Sequence, residues 1–231
     1  MKRFYKQVSA DGVDGGFSVF LDGRPIKTPA KSELVLASQQ LADAIAAEWD
    51  RQEEKVDPAS MPLMRYAATA IDRVTPQRDQ VIEDLSEYGD TDLVCYRASY
   101  PEKLVKRQSE AWDPLVEWVH EEHGVKLQIV TGVGYIKQDQ KGLAKMKSVL
   151  EAQSDLHLAA IHDIVSLTGS LVVTLAVMAG RLNAEEAFEI SELDEAHVIE
   201  EWGEDAEAAA RRKNNKASLV SAVEFLNLCD R

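Results

Sequence analysis

Hydrophobic and polar residues alternate along the first part of the chain, which predicts β-structure. The apolar side chains of Phe17, Val19 and Leu21 recur at every second position, and the Asp-Gly pair that follows is typical of a hairpin turn. Residues 24–28 are predicted to continue as a strand, and residues 34–36 to form a further short one. The first 36 residues are therefore predicted to be short strands joined by turns.

A helical period replaces this alternation from Ser38, which is a favourable N-cap for the apolar positions that follow as far as Trp49. Beyond residue 62 the pattern is mostly helical. Helices are predicted at about 63–74, 77–88, 101–122, 140–152, 155–179 (with Gly169 as a candidate break), 184–202 and 205–229, with 126–130 as a candidate strand. The chain is thus predicted to be α+β, with a small β-rich N-terminal domain (residues 1–60) followed by a larger mainly α-helical C-terminal domain (residues 61–231).

The longest uncharged run covers residues 164–180 and is about long enough to be considered as a membrane span. It contains Gly169 and several hydroxyl side chains, including Ser170 and Thr174. A buried core helix, or a pair of such helices, explains this composition better. The charged N-terminus has no apolar signal core behind it.

An acidic segment stands out at residues 183–210, which carry eleven carboxylates and no Lys or Arg, and which hold most of the net charge of −14. Asn183 and Glu186 have the spacing of a capping box, which predicts that a helix begins there. Gly203 suits a left-handed C-terminal cap. The helix is expected to end at Trp202, and its outward acids, including Glu192 and Glu200, are predicted to form a solvated or steering face.

One carboxylate interrupts the apolar face of this predicted helix. At 100° per residue, Glu195 falls in the middle of a stripe made by Ala187, Phe188, Ser191, Val198, Ile199 and Trp202, while Asp194 lies near one edge. A buried carboxylate is costly unless it is paired. Glu195 therefore either forms an internal ion pair, with Arg181, Arg211 or Arg212 as candidates, or forms a recognition site together with Trp202.

Composition narrows the chemistry further. The chain has 26 basic against 40 acidic residues, which argues against nucleic acid as the main ligand. Cys95 and Cys229 match no metal or redox spacing, so two free thiols in a reducing compartment are expected. Glu117, His120 and His123 provide only half of a di-iron pattern. No catalytic residue, cofactor or metal is predicted, although a hydrolase using clustered carboxylates and a generic acidic scaffold remain as alternatives.

Blocks spread over nearly the whole chain resemble a known family. They lie at residues 3–6, 21–25, 27–29, 41–42, 47–49, 52, 57–58, 61–62, 70–73, 91–93, 95–97, 107–108, 112–114, 118 and 169–171, and they end with Leu-Asp-Glu at 193–195 and Trp-Gly-Glu-Asp at 202–205. In order and coverage they resemble the assembly chaperones for the α subunit of F1-ATPase, found in mitochondria and α-proteobacteria. One departure is Val198, where the family pattern has Gln.

The resemblance implies a binding protein rather than an enzyme. Such chaperones hold the newly made α subunit and shield the surface that later meets the β subunit, and their fold pairs a β-containing N-terminal domain with a helical C-terminal one. Mitochondrial relatives carry a transit peptide that this chain lacks, so a bacterial cytoplasmic protein is expected. We predict a monomer that inserts into no membrane and whose partner-binding residues are Glu195, Trp202, Asp194, Glu201 and Asp205.

Overall fold

The computed structural model describes residues 2–229, which pack into two compact units. Within the described residues, the first unit contains 2–78, 154–161 and 221–229, and the second contains 79–153 and 162–220. Packing units and independently folding domains are different properties, so the division into 1–60 and 61–231 stays a prediction. The predicted α+β class is confirmed, because a small N-terminal sheet precedes a mainly helical remainder.

The elements follow the predicted order closely. The strands are β1 (Val8–Val13), β2 (Gly16–Leu21), β3 (Arg24–Pro25), β4 (Tyr96–Arg97) and β5 (Val130–Thr131). The helices are α1 (Gln39–Asp50), α2 (Pro62–Thr69), α3 (Arg78–Glu87), α4 (Glu102–His123), α5 (Gln140–Glu151), α6 (Asp155–Thr168), α7 (Leu171–Met178), α8 (Ala184–Ser191), α9 (Leu193–Trp202) and α10 (Ala206–Cys229).

The sheet of the first unit is antiparallel in the order β1-β2-β3, with Val8 opposite Leu21. The predicted turn is present, because Asp22 and Gly23 both have positive φ, at 49° and 76°. The strands predicted at 24–28 and 34–36 were too long. β3 stops at Pro25, and the second segment makes only an isolated bridge between Leu36 and Phe17. One hydrogen bond to β2 continues past β3, from the N–H of Ile26 to the carbonyl of Val19 at 2.9 Å.

The helices of the first unit begin at side-chain caps. Ser38 is confirmed as the N-cap of α1, since its hydroxyl accepts a hydrogen bond from the N–H of Leu41 at 3.1 Å. Glu48 of α1 is buried, and its two carboxylate oxygens accept from the N–H groups of Leu63 and Met64 at 2.8 Å each. A carboxylate of α1 thus accepts from buried N–H groups at the start of α2 that have no partner within their own helix. Burial raises the pKa of Glu48 above its ordinary value.

The second unit is built around α7, whose residues from Leu171 to Val177 are all buried. The candidate break in the 155–179 prediction is confirmed, because Gly169 has φ 65° and Ser170 caps α7 through a bond from the N–H of Val173 at 2.9 Å. A buried carboxylate, Asp92, accepts from the Ser170 hydroxyl at 2.5 Å and from the N–H of Val172 at 2.9 Å. No helix within residues 2–229 is long and apolar enough to cross a membrane.

Two smaller features complete the second unit. The candidate strand at 126–130 is realised as the short β5, which pairs in parallel with β4. The side chain of Cys95 is buried, and burial raises the pKa of this thiol to about 12. Cys229, in the first unit, is also buried, and neither cysteine forms a disulfide within the described part of the chain.

Candidate protein-binding site

The acidic segment forms two helices where one was predicted over 184–202. α8 ends at Ser191 and α9 begins at Leu193, because Glu192 between them leaves the helical conformation, with φ −101° and ψ 15°. The prediction of a continuous helix is wrong at this point. Neither glycine nor proline marks the break, so the local sequence gives little sign of it.

The beginning of the segment follows the prediction. The Asn183 side chain accepts from the N–H groups of Glu185 and Glu186, at 2.9 and 3.0 Å, while the Glu186 carboxylate accepts from the N–H of Asn183 at 2.8 Å. This confirms the capping box. The end differs, because Gly203 has a positive φ of 84° but a ψ of 171°, so it is not the left-handed helical cap that was predicted.

The predicted apolar stripe does not exist as one buried face. Phe188 of α8 is buried, but Val198 and Trp202 of α9 are 48% and 86% exposed. The residue that α9 buries most completely is His197. The break at Glu192 changes the angular relation between the two halves, so positions that align on one long helix separate on two short ones.

Several acids that were predicted to face solvent are paired instead. The Arg212 guanidinium donates to Glu192 at 2.8 Å and to Glu204 at 3.3 Å. Glu200 accepts from Lys103 Nζ and Arg107 Nη1 at 2.8 Å each. The bonds from these two cations lower the pKa of Glu200 to about 2. The prediction that Glu192 and Glu200 form a solvated or steering face therefore holds only in part, because Glu200 is exposed and Glu192 half-buried, and both are ion-paired.

Two of the five predicted partner-binding residues have a structural task. Gln108 Nε2 donates to Asp194 Oδ1 at 2.6 Å. Asp205 accepts from the N–H groups of Glu207 and Ala208, at 2.9 and 3.0 Å, and so caps the start of α10. These bonds lower the pKa of Asp205 below its ordinary value. Asp194 thus ties the first turn of α9 to α4, and Asp205 fixes the start of α10.

Glu195 and Glu201 are different, since neither makes a hydrogen bond or ion pair with any residue in the described range 2–229. The internal ion pair considered as the alternative for Glu195 is not formed within that range. Arg212 is committed to Glu192 and Glu204, and the guanidinium of Arg181 lies over the Trp118 ring, 5.4 Å from its centroid.

These unpaired acids share one side of α9 with its exposed apolar residues. At 100° per residue, Glu195, Val198, Glu201 and Trp202 fall within an arc of about 120°. We call these four residues the open face of α9. The structure brings together three of the predicted site residues there, Glu195, Glu201 and Trp202. It adds Val198, which sequence reasoning had placed in the apolar stripe.

Helix α4 holds the junction of α8 and α9 in place. Trp112 is fully buried, and its indole N–H donates to the carbonyl of Ile190 at 3.0 Å. Gln108, also buried, bonds Asp194 as described above. With Lys103 and Arg107 on Glu200, α4 provides four contacts that sequence reasoning missed. Lys103 and Arg107 are one helical turn apart and therefore lie on the same side of α4. This spacing could have indicated that a carboxylate binds there.

The other candidate chemistry does not assemble. Within residues 2–229, no three side chains of His, Cys, Asp or Glu converge as a metal site would require. The ring of His123 instead packs edge-on against Trp118, with centroids 5.4 Å apart. Glu117 and His120 are exposed on α4.

Comparisons with known proteins agree with one another. A family model described as ATP12 chaperone protein matches residues 2–120. Atp12 from Paracoccus denitrificans, a solved structure, is similar with a TM-score of 0.96 and 42% identity over 99% of this chain and 98% of that one. An aspartate-to-lysine mutant of P. denitrificans Atp12p is similar with a TM-score of 0.96 and 41% identity, over 99% and 97% of the two chains. Protein atp12, mitochondrial, of Schizosaccharomyces pombe is 29% identical over 99% of this chain and 82% of that protein.

Proposed function

The chain belongs to the ATP12 chaperone protein family, and on that premise we propose that it assists ATP synthase assembly by binding the unassembled F1 α subunit. In this proposal the chaperone shields the α-subunit surface that later meets the β subunit, in the bacterial cytoplasm, and releases it on assembly. We refer to the α subunit as the client.

The open face of α9 is the proposed contact with the client, and the exposure of Trp202 is the observation that carries it. An indole that is 86% exposed buries little apolar surface in the isolated protein, so it contributes little to the stability of the fold. Tryptophan is enriched among the residues that dominate binding energies, because it buries a large rigid surface. Val198, one turn earlier, extends the apolar area.

The charges of this face support the same proposal. Glu192, Glu200 and Glu204 are already neutralised by cations within the second unit. Glu195 and Glu201 are left unpaired beside Trp202, so they remain available for a cation on the client. Charge complementarity of this kind mainly increases the rate of encounter and disfavours wrong partners. The proposed site therefore combines an apolar anchor, Trp202, with two carboxylates, Glu195 and Glu201, that favour a cationic partner.

Charge reversal at Glu195 tests the site. We expect Glu195→Lys to abolish binding of purified F1 α subunit, measured by co-purification and by suppression of α-subunit aggregation at equal chaperone concentration. Glu117→Lys is the matched control, because it makes the same charge change at an exposed carboxylate of α4 that has no ion pair within residues 2–229. The circular dichroism spectrum of both variants should match that of the wild type.

Two outcomes contradict the proposal in different ways. If Glu195→Lys still suppresses α-subunit aggregation as well as the control does, the open face is not the site. If the wild type binds unrelated basic proteins, such as lysozyme, as tightly as it binds the α subunit at physiological salt, the protein is a generic acidic scaffold.

A further inference from the structure

A second surface, in the first unit, differs from the open face of α9 in both shape and charge. It is a groove of about 840 Å³ between α1, α2, the turn that follows α2, and the segment after β3. Its apolar lining includes Trp49, Val56, Met61, Met64 and Ala68. A volume of this size is typical of ligand-binding clefts in proteins.

The rim of the groove is basic, although the chain as a whole carries a net charge of −14. Lys27, Arg65 and Arg73 line it and are all exposed. None of the three makes an ion pair with a residue in the described range 2–229. The guanidinium carbon of Arg65 lies 5.5 Å from the centroid of the Tyr66 ring. We call this surface the basic-rimmed groove.

The lining contains one carboxylate, Asp72, against these three cations. Asp72 accepts from the Thr28 hydroxyl at 2.7 Å and from the N–H of Ala30 at 3.1 Å, so its oxygens are used to fix the segment after β3. Partial loss of hydration acts to raise the pKa of Asp72, but these bonds hold the pKa below its ordinary value. Asp72 therefore shapes one wall of the groove and leaves the rim with an excess of positive charge.

The backbone at this end of the groove is irregular. Residues Ala70–Val74 form a π-helical turn, in which the N–H of Thr75 bonds to the carbonyl of Ala70. Such turns insert an extra residue into a helix and occur frequently at functional sites. Here the turn carries both Asp72, which holds the neighbouring wall, and Arg73, which is on the rim.

From this geometry we propose that the basic-rimmed groove is a second binding site, which takes an extended peptide segment with apolar side chains and at least one carboxylate. The apolar side chains pack against Met61, Met64 and Trp49, and the carboxylate pairs with Arg65 or Arg73. The rim of this groove is positively charged, whereas the open face of α9 is negatively charged. The proposal does not require that the α subunit be the client.

Binding of short labelled peptides to the full-length protein tests this site. The probe is a fluorescein-labelled peptide of alternating Leu and Glu, followed by fluorescence anisotropy. A peptide with Ser in place of Leu keeps the charge and removes the apolar contacts, and one with Lys in place of Glu keeps the apolar contacts and reverses the charge. We expect the Leu-Glu peptide to bind at least tenfold more tightly than either of the others.

Substitutions in the protein locate the binding. Arg65→Glu combined with Arg73→Glu should weaken binding of the Leu-Glu peptide at least tenfold, whereas Arg65→Lys with Arg73→Lys should largely retain it. Lys6→Glu is the matched control, since it reverses an exposed cation of the same unit that does not line the groove. Glu195→Lys should leave peptide binding unchanged, which separates this proposal from the proposed chaperone site.

The proposal is overturned if the Ser-Glu peptide binds as tightly as the Leu-Glu peptide, because the attraction is then purely electrostatic. It is also overturned if the double Glu variant, with a circular dichroism spectrum like that of the wild type, binds the Leu-Glu peptide as tightly as the wild type does.

Discussion

Helices α7 and α9 belong to the same unit and are of similar length, yet they use their apolar residues in opposite ways. Every residue of α7 from Leu171 to Val177 is buried. α9 buries one residue, His197, and exposes Val198 and Trp202. The comparison shows that apolar side chains in this unit serve two purposes. Those of α7 stabilise the fold, and those of α9 are proposed to contact another protein.

Truncation of a side chain at matched sites should separate these purposes most clearly. We expect Leu175→Ala in α7 to lower the free energy of unfolding by about 2–5 kcal/mol, because a fully packed leucine leaves a cavity. Val198→Ala in α9 should change it by no more than about 0.5 kcal/mol, since the side chain is half exposed. Urea denaturation of the two variants measures the difference, and equal losses would remove the contrast between the helices.

The buried carboxylate at the start of α7 should give the next largest effect, and one that depends on pH. Burial raises the pKa of Asp92 from 3.8 to about 6. The folded state then binds this proton more tightly than the unfolded state does, so the associated stability is present below about pH 4 and is lost as the pH rises through about 6. Asp92→Asn stays neutral throughout. The stability advantage of the wild type over this variant should therefore shrink by roughly 2 kcal/mol from pH 4 to pH 7.

Urea denaturation at both pH values measures this change. Glu117→Gln, which replaces an exposed carboxylate, serves as the control and should follow the wild type at both values. A constant difference between Asp92→Asn and the wild type would mean that Asp92 titrates alike in the folded and unfolded states.

Trp202→Ala should have the smallest effect on stability and a large one on function. We expect the free energy of unfolding to change by at most about 0.5 kcal/mol, because the indole is exposed. Binding of the F1 α subunit should weaken at least tenfold if Trp202 is an anchor. Val133→Ala, which removes an exposed apolar side chain elsewhere in the unit, should leave binding unchanged. A Trp202→Ala variant that unfolds more readily but binds normally would assign the indole to the fold.

Sequence reasoning succeeded for α7 and failed for α9 for physical reasons. A helix made of a continuous apolar run is buried on all sides, so its burial can be predicted without knowing which face points inward. Gly169 and Ser170 also mark the start of α7 in the local sequence. In α9 the outcome depends on distant residues. Gln108 and Trp112 of α4 fix the junction with α8, and Lys103 and Arg107 neutralise Glu200 from almost a hundred positions away.

The candidate site was predictable only in part for the same reason. The sequence pattern singled out Glu195 and Trp202, and both lie on the open face of α9. It could not distinguish Glu195, which is unpaired in the described range, from Glu192 and Glu200, which are paired. That difference depends on which cations the fold brings near, and local periodicity carries no information about them.

The two bonds of Arg212 have a consequence for how the family could diversify. One guanidinium ties Glu192, just before α9, to Glu204, just after it. The ends of α9 are thus fastened by residues outside its open face. Selection can then vary the residues of the open face without loss of these two ion pairs, and a protein engineer could exchange them together to redirect the chaperone to a different client.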